Sequence, residues 1–171
     1  PPRSTLFPYT TLFRSDITYI RTHHGWSYLA CVLDLASKEV VGYALSQRPD
    51  AHLVKAALMD AIRKHNPDTR KLMFHSDQGV QYSAKLFSNT LRLLKITQSM
   101  SRRGNCWDNA VMERFFRSLK GERLDHLSFI NHNAVVSVVT AYIRFYNYKR
   151  ISSALNYQTP AERRKFLKKA A

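Results

Sequence analysis

The stretch from Asp16 to His65 changes its hydrophobic period once, and that change restricts the fold more than any other feature. "DITYIRT", "WSYLACVLDL" and "KEVVGYALS" are rich in β-branched and aromatic residues, and only "HHG" and the short "ASK" region separate them. Such runs suit pleated, half-buried strands, so three consecutive strands are expected, two of them in a tight hairpin. "AHLVKAALMDAIRKH" then puts apolar residues at 53, 54, 57, 58, 61 and 62. That is helical spacing, with Asp50 placed to cap a helix from Asp50 to His65.

After "NPDTR" the alternation continues in shorter pieces. "KLMFHSD" reads as a strand ending in a polar turn, "SAKLFSNTLRLL" as a helix and "KITQSM" as a further strand. Three strands, helix, strand, helix, strand is a mixed α/β order. "SRRGN" breaks the chain before another helix, for which Asp108 is the expected cap. Residues 135, 138, 139, 142, 145 and 146 form an apolar stripe on a last long helix, ahead of the basic tail "RRKFLKKAA".

The first fifteen residues, "PPRSTLFPYTTLFRS", nearly repeat themselves, hold no acid, and lack the apolar core and cleavage site of a secretory signal. Residue for residue they resemble the in-frame translation of a common short-read sequencing adapter. Residues 1–15 are therefore expected to be a non-native artefact, with authentic sequence starting at Asp16; an edge strand is the other reading of their weak alternation. Residues 16–171 suit one domain. The artefact would account for Arg3 and Arg14, so the formal net charge of +15 would fall only to +13.

A charge that large on a compact domain points to a polyanion, nucleic acid ahead of an anionic membrane, because cations on phosphates release condensed counterions. No apolar run approaches the roughly 20 residues of a membrane span. Cys31 and Cys106 stand far apart with no paired Cys or His motif, so neither a zinc site nor a disulfide framework is expected, in keeping with a reducing cytoplasm.

Against this basic background the acids are few, and Asp16, Asp77 and Glu113 occupy suggestive places. Asp16 opens the first strand, Asp77 ends the fourth, and Glu113 lies one turn into a later helix. Strand ends with a helix crossing over them can bring together carboxylates that are remote in sequence. Three converging carboxylates repel one another unless cations offset the charge, and oxygen-only ligands favour Mg²⁺ or Mn²⁺. Each acid also has a plainer reading: a strand end for Asp16, a turn former for Asp77, and an Arg117 salt-bridge partner for Glu113.

"DITYI…GWSYLACVLDLASKEVVGYAL", "HSDQGVQYSA", "SMSRRGNCWDNAVMERFFRSLKGE" and "YNYKRISSALNYQTPAE" closely resemble the integrase-like catalytic core of bacterial insertion-sequence transposases of the insertion-sequence-three family. The resemblance covers nearly everything from Asp16 to Glu162. It implies an α/β, ribonuclease H-like fold with a mixed five-stranded sheet flanked by helices. It also implies a D,D-35-E triad, and 35 residues separate Asp77 from Glu113, with Asp16 as the first member. Such a triad binds two Mg²⁺, with Mn²⁺ a substitute; Asp16 and Asp77 would share one ion, Asp16 and Glu113 the second.

The family's basic residue seven positions after the glutamate falls on Lys120. Helical geometry puts Glu113, Arg117 and Lys120 near one face, so the carboxylate could hold metal while the cations hold phosphates. Arg102 and Arg103, in the preceding loop, are further candidate phosphate contacts. Phe115 and Phe116 read as core, and Trp107 as a packing or nucleotide-stacking indole.

The implied activity is cleavage of element-end phosphodiesters and strand transfer by the freed 3′-hydroxyl. The expected partners are transposon-end and target DNA, a homo-oligomer on that DNA, no membrane and no zinc, in a bacterial, nucleoid-associated, cytoplasmic setting. The alternatives are an inactive DNA-binding remnant and a ribonuclease H-like nuclease. Two departures from the family stand out. Arg150, Ile151, Ser152 and Ser153 occupy the place of an Arg-Pro-His-Ser-like stretch, and the N-terminal helix-turn-helix region is missing.

Overall fold

The computed structural model of the chain describes residues 11–101 and 109–170. Strands β1 (Thr11–Thr22), β2 (Gly25–Asp34) and β3 (Val40–Ser46) come first, followed by α1 (Ala51–His65) and β4 (Leu72–Ser76). Then follow α2 (Val80–Ser83), α3 (Lys85–Leu93) and β5 (Thr97–Met100), and finally α4 (Ala110–Leu119), α5 (His132–Tyr148) and α6 (Pro160–Ala170). The five strands form one sheet in the order β3-β2-β1-β4-β5. β1 pairs antiparallel with β2, and β2 with β3, whereas β4 runs parallel to β1 and β5 parallel to β4. The expected mixed α/β fold with flanking helices is present.

Each face of the sheet carries its own core. On one side Phe13, Val32, Phe74 and Tyr82 pack with Leu53, Val54, Ala57 and Leu58 of α1 and Phe87 and Leu91 of α3. On the other, Ile20, Leu29, Cys31 and Leu33 pack with Met112, Phe115, Phe116 and Leu119 of α4 and Val135, Val139 and Ile143 of α5. α1 lies unusually close to β3 because position 42 is glycine: a Cβ there would collide with the backbone of Ala57 and Ala61. Asp50 caps α1 as its position suggests, accepting a hydrogen bond of 3.1 Å from the Leu53 amide.

Several elements differ from the sequence reading. β1 begins at Thr11, ahead of Asp16, and occupies the centre of the sheet, because Thr11–Arg14 find partners in Leu72–His75 and Phe13 is wholly buried. The helix read over residues 83–94 is α3, starting at Lys85, and a short helix the sequence reading did not foresee, α2, precedes it, separated by Ala84 in an extended conformation (φ −61°, ψ 139°). The basic C-terminal stretch is helical from Pro160, and its Arg164 reaches Asp34 and Glu39 at 3.5 and 3.4 Å. On α5 the stripe holds except at Phe145, which is exposed: Val135, Val139 and Tyr142 are buried, Val138 and Tyr146 pack against the same core, and Ile143 and Asn147 are buried with them. The expected Asp108 cap lies outside the described residues; α4 starts after Asn109, which makes no capping side-chain bond.

Candidate active site

Alternation along β1 decides which way its acid points. Phe13 and Ile17 join the α1/α3 core, and Ser15 shares a 2.8 Å hydrogen bond with the Tyr82 hydroxyl on that side. The even positions therefore face α4 and α5, as the burial of Ile20 in that core confirms. Asp16 belongs to this even set. The parallel register of β1 and β4 runs from Thr11 opposite Leu72 to Arg14 opposite His75. Continued two residues further, it sets Asp16 beside Asp77, on strands that neighbour each other at roughly 4.8 Å. His75 is tied into the sheet edge by Ser99 at 2.9 Å and Ser101 at 3.2 Å.

Asp77 lies just past the end of β4, exposed, and its Oδ1 accepts from the Gly79 amide at 3.0 Å. Glu113 comes from α4. Met112, Phe115, Phe116 and Leu119 bury one stripe of that helix. At roughly 100° per residue the positions 113, 117 and 120 fall on one flank of the stripe and 111, 114 and 118 on the other. Glu113, Arg117 and Lys120 accordingly share an open cleft of about 490 Å³ with Asp16, Thr18 and Asp125. Asp77 is not among the residues that line it.

Burial, then repulsion from Asp77 and from Glu113, raises the Asp16 carboxyl from 3.8 to about 6, against opposing hydrogen bonds from the Ile17 amide and the Asn109 side chain. Among the described residues, no three His, Cys, Asp or Glu side chains stand close enough to enclose a metal ion.

Asn109 escaped the sequence reading. It lies four residues before Glu113, one helical turn away on the same flank, and its bond to Asp16 helps hold that carboxylate. The spacing to Glu113 was the available signal. Asp125 was missed for another reason. After Leu119 the helix continues as a π-helical turn over Lys120–Leu124, closed by the Asp125 amide on the Lys120 carbonyl at 2.9 Å, and this brings Gly121 and Asp125 to the cleft. Nothing in the local residue pattern signals that widened turn. π-Bulges in helices frequently accompany functional sites.

The plain alternative for Glu113 fails: among the described residues no ion pair joins it to Arg117. Its neighbour Glu122 is the structural acid, gripped by Arg150 at 2.7 and 2.9 Å and by the Tyr142 hydroxyl at 2.8 Å. Phe115 and Phe116 are buried as expected. Arg102, Arg103, Cys106 and Trp107 lie outside the described residues.

The chain matches the family described as integrase core domain over residues 10–106, and a second family of the same description over residues 94–160. It is 38% identical over 152 residues to the transposase for insertion sequence element IS904 of Lactococcus lactis, covering 88% of this chain and 60% of that protein. It is 41% identical over 129 residues to transposase InsF for insertion sequence IS3A of Escherichia coli, covering 75% of this chain and 44% of that protein. The chain thus spans about half the length of these relatives. Among solved structures, the HTLV-2 integrase catalytic core domain in complex with magnesium superposes with a TM-score of 0.71 at 13% identity, covering 92% of this chain and 97% of that one. The BIV integrase catalytic core gives 0.64 at 21%, covering 95% and 99%. These likenesses assign the fold, the ribonuclease H-like fold of retroviral integrase cores. With a family match over more than half of its residues and transposases as relatives, the chain belongs to the integrase core domain family.

Proposed function

We propose that this chain is the catalytic core of a DNA transposase, cutting phosphodiester bonds at the ends of an insertion sequence and joining the freed 3′-hydroxyl to target DNA. The observation that carries the reading is geometric: Asp16 and Glu113 line one open cleft, and the β1–β4 register, continued past its last pair, sets Asp77 beside Asp16. Transposase relatives and the magnesium of the HTLV-2 integrase core support it. Asp16, Asp77 and Glu113 would hold two Mg²⁺, with Mn²⁺ as a substitute. Bound cations of this kind supply positive charge to the attacking and leaving oxygens of a phosphodiester.

The chain's own residues supply position. Asn109 orients Asp16 through its hydrogen bond, and the Gly79 amide holds Asp77. Arg117 and Lys120, on the flank of α4 that carries Glu113, would grip phosphates beside the scissile bond, with Arg102 and Arg103 as further contacts. No residue need form a covalent intermediate. DNA ends would be paired by a homo-oligomer that assembles on them. Among the described residues no helix is long and apolar enough to cross a membrane, and action at the nucleoid is part of the same proposal.

The test is a strand-transfer assay with Mg²⁺ on element-end oligonucleotides. Wild type is expected to be active, and Asp77→Asn inactive while retaining DNA binding. Equal inactivity of the two proteins, with DNA still bound, leaves a DNA-binding remnant and sinks the enzyme reading. Cleavage without joining would favour a nuclease.

A further inference from the structure

The second flank of α4 borders a separate pocket of about 390 Å³, where Arg114 and Ser118 of α4 meet Lys38 from the β2–β3 turn and Arg150, Ser152 and Ser153 from the segment after α5. Its deep lining is apolar, with Phe115 and Leu155 both buried. Its cations are unequally employed. Arg150 is neutralised by its two-pronged grip on Glu122. Lys38 and Arg114 have no carboxylate within ion-pair distance among the described residues, and Asp34, whose charge Lys38 feels, is already held by Ser37 and Arg164.

Lys38 is also half-buried, and burial followed by the charges of Arg14 and Arg114 lowers its pKa, with Asp34 opposing. Its backbone adopts φ 62°, a left-handed conformation in which glycine would be less strained, so this turn keeps a long cationic side chain at a conformational cost. The first turn of α4, at Ala110 and Val111, lines the same pocket, and its N-cap Asn109 makes no capping bond. Helix N-termini carry partial positive charge and unsatisfied amides. Two cations with no carboxylate partner among the described residues, beside serine hydroxyls and the first turn of a helix, suit an anion rich in acceptor oxygens.

We propose that this pocket binds a backbone phosphate of DNA, held by Lys38 and Arg114, on a strand that passes α4 on the side away from Asp16 and Glu113. The assignment rests on the DNA reading above and adds a second grip to it. A carboxylate or free phosphate satisfies the same donors less well in context, because a chain of net charge +15 with Arg117 and Lys120 on the same helix already suits a continuous polyanion.

Salt dependence of binding to a fluorescent DNA duplex, read by anisotropy on the full chain, tests it. The Lys38→Ala/Arg114→Ala variant is compared with Lys85→Ala/Arg92→Ala, which removes the same charge from α3 on the opposite face of the sheet. Each phosphate contact contributes about 0.9 to the slope of log affinity against log salt, so the pocket variant is expected to lose about that much slope and roughly tenfold in affinity. The α3 variant should lose clearly less. Equal effects of the two variants, in a wild type that binds DNA, defeat the pocket and leave the DNA reading standing. A wild type that binds no DNA defeats both. A thermal upshift with inorganic phosphate that vanishes in the pocket variant, while the DNA slope is unchanged, identifies a free-phosphate site and overturns the proposal. If the double variant does not fold, Arg114→Gln, at an exposed helix position, carries the test with a smaller loss of the same sign.

Discussion

Ionised Asp16 works against the fold that positions it. The folded carboxyl titrates near 6, above its ordinary 3.8, so the native state binds that proton more readily than the unfolded chain. Its cost is absent at low pH, grows as pH rises from 3.8 towards 6, and is complete above that, at roughly 3 kcal/mol. His65 runs the other way. Burial first, then Arg164, Lys168 and Lys64, lower it from 6.5 to about 4, so stability is lost as pH falls through that range and the unfolded chain takes up a proton. The two opposing slopes can be separated by thermal melts in metal-free buffer. Asp16→Asn is expected to be more stable than wild type at neutral pH and steeper in its acid loss, and His65→Gln flatter. Adding Mg²⁺ should raise the melting temperature of wild type and leave Asp16→Asn unmoved. Identical pH profiles for wild type and Asp16→Asn would remove the idea of converging charge.

At the scale of elements, β1 shows both what pattern can tell and where it stops. Its outer half resembles adapter sequence, yet Thr11–Arg14 pair with β4 and Phe13 is enclosed by the α1/α3 core. Origin and structural role are separate questions. "TTLFRS" has the alternation that a sheet centre accepts, whatever its source, and we keep the non-native origin of residues 1–15 as a proposal. Phe13→Ala should therefore cost about 3–5 kcal/mol in urea unfolding, the range for a buried aromatic, and Phe13→Leu much less. An Ala variant as stable as wild type would mean that this half-strand lies outside the cooperative fold. The hairpin, α1 and most of the α5 stripe were legible because each follows a local period. The short α2 and the extended Ala84 after it were not, since four residues, Val80–Ser83, are too few to show a helical period and no glycine or proline marks the break. In the site, spacing and resemblance drew attention to Asp16, Asp77 and Glu113. Asn109 had only its four-residue spacing to Glu113 as a signal, and the Lys38–Arg114 pocket depends on how separate elements meet, which no local pattern encodes.

Across the whole molecule, charge of one sign dominates, and the fold spends its few acids on particular tasks. Asp60 holds Arg63, Lys64 and the Tyr43 amide, Glu122 holds Arg150, and Asp34 with Glu39 holds Arg164. The last of these fastens the C-terminal helix to the turn between β2 and β3, more than a hundred residues away in sequence, which is why a stretch read as a basic tail is an ordered helix. Both acids are buried, Glu39 with only 3% of its surface exposed, and burial raises the Glu39 pKa while Arg164 lowers it. Removing Arg164 strands two buried carboxylates without their counter-charge. Arg164→Leu should cost about 3–5 kcal/mol at neutral pH, as breaking a buried ion pair does. The sign of its pH dependence follows from the same charges. Without the guanidinium the Glu39 carboxyl loses the charge that lowers its pKa, so the deficit shrinks as pH falls and it takes up a proton. Urea unfolding of Arg164→Leu at neutral and acidic pH, with Asp34→Asn/Glu39→Gln added in a second variant, separates the causes. Recovery in acid and in the combined variant assigns the loss to stranded charge, whereas a deficit unchanged by either assigns it to the packing of α6.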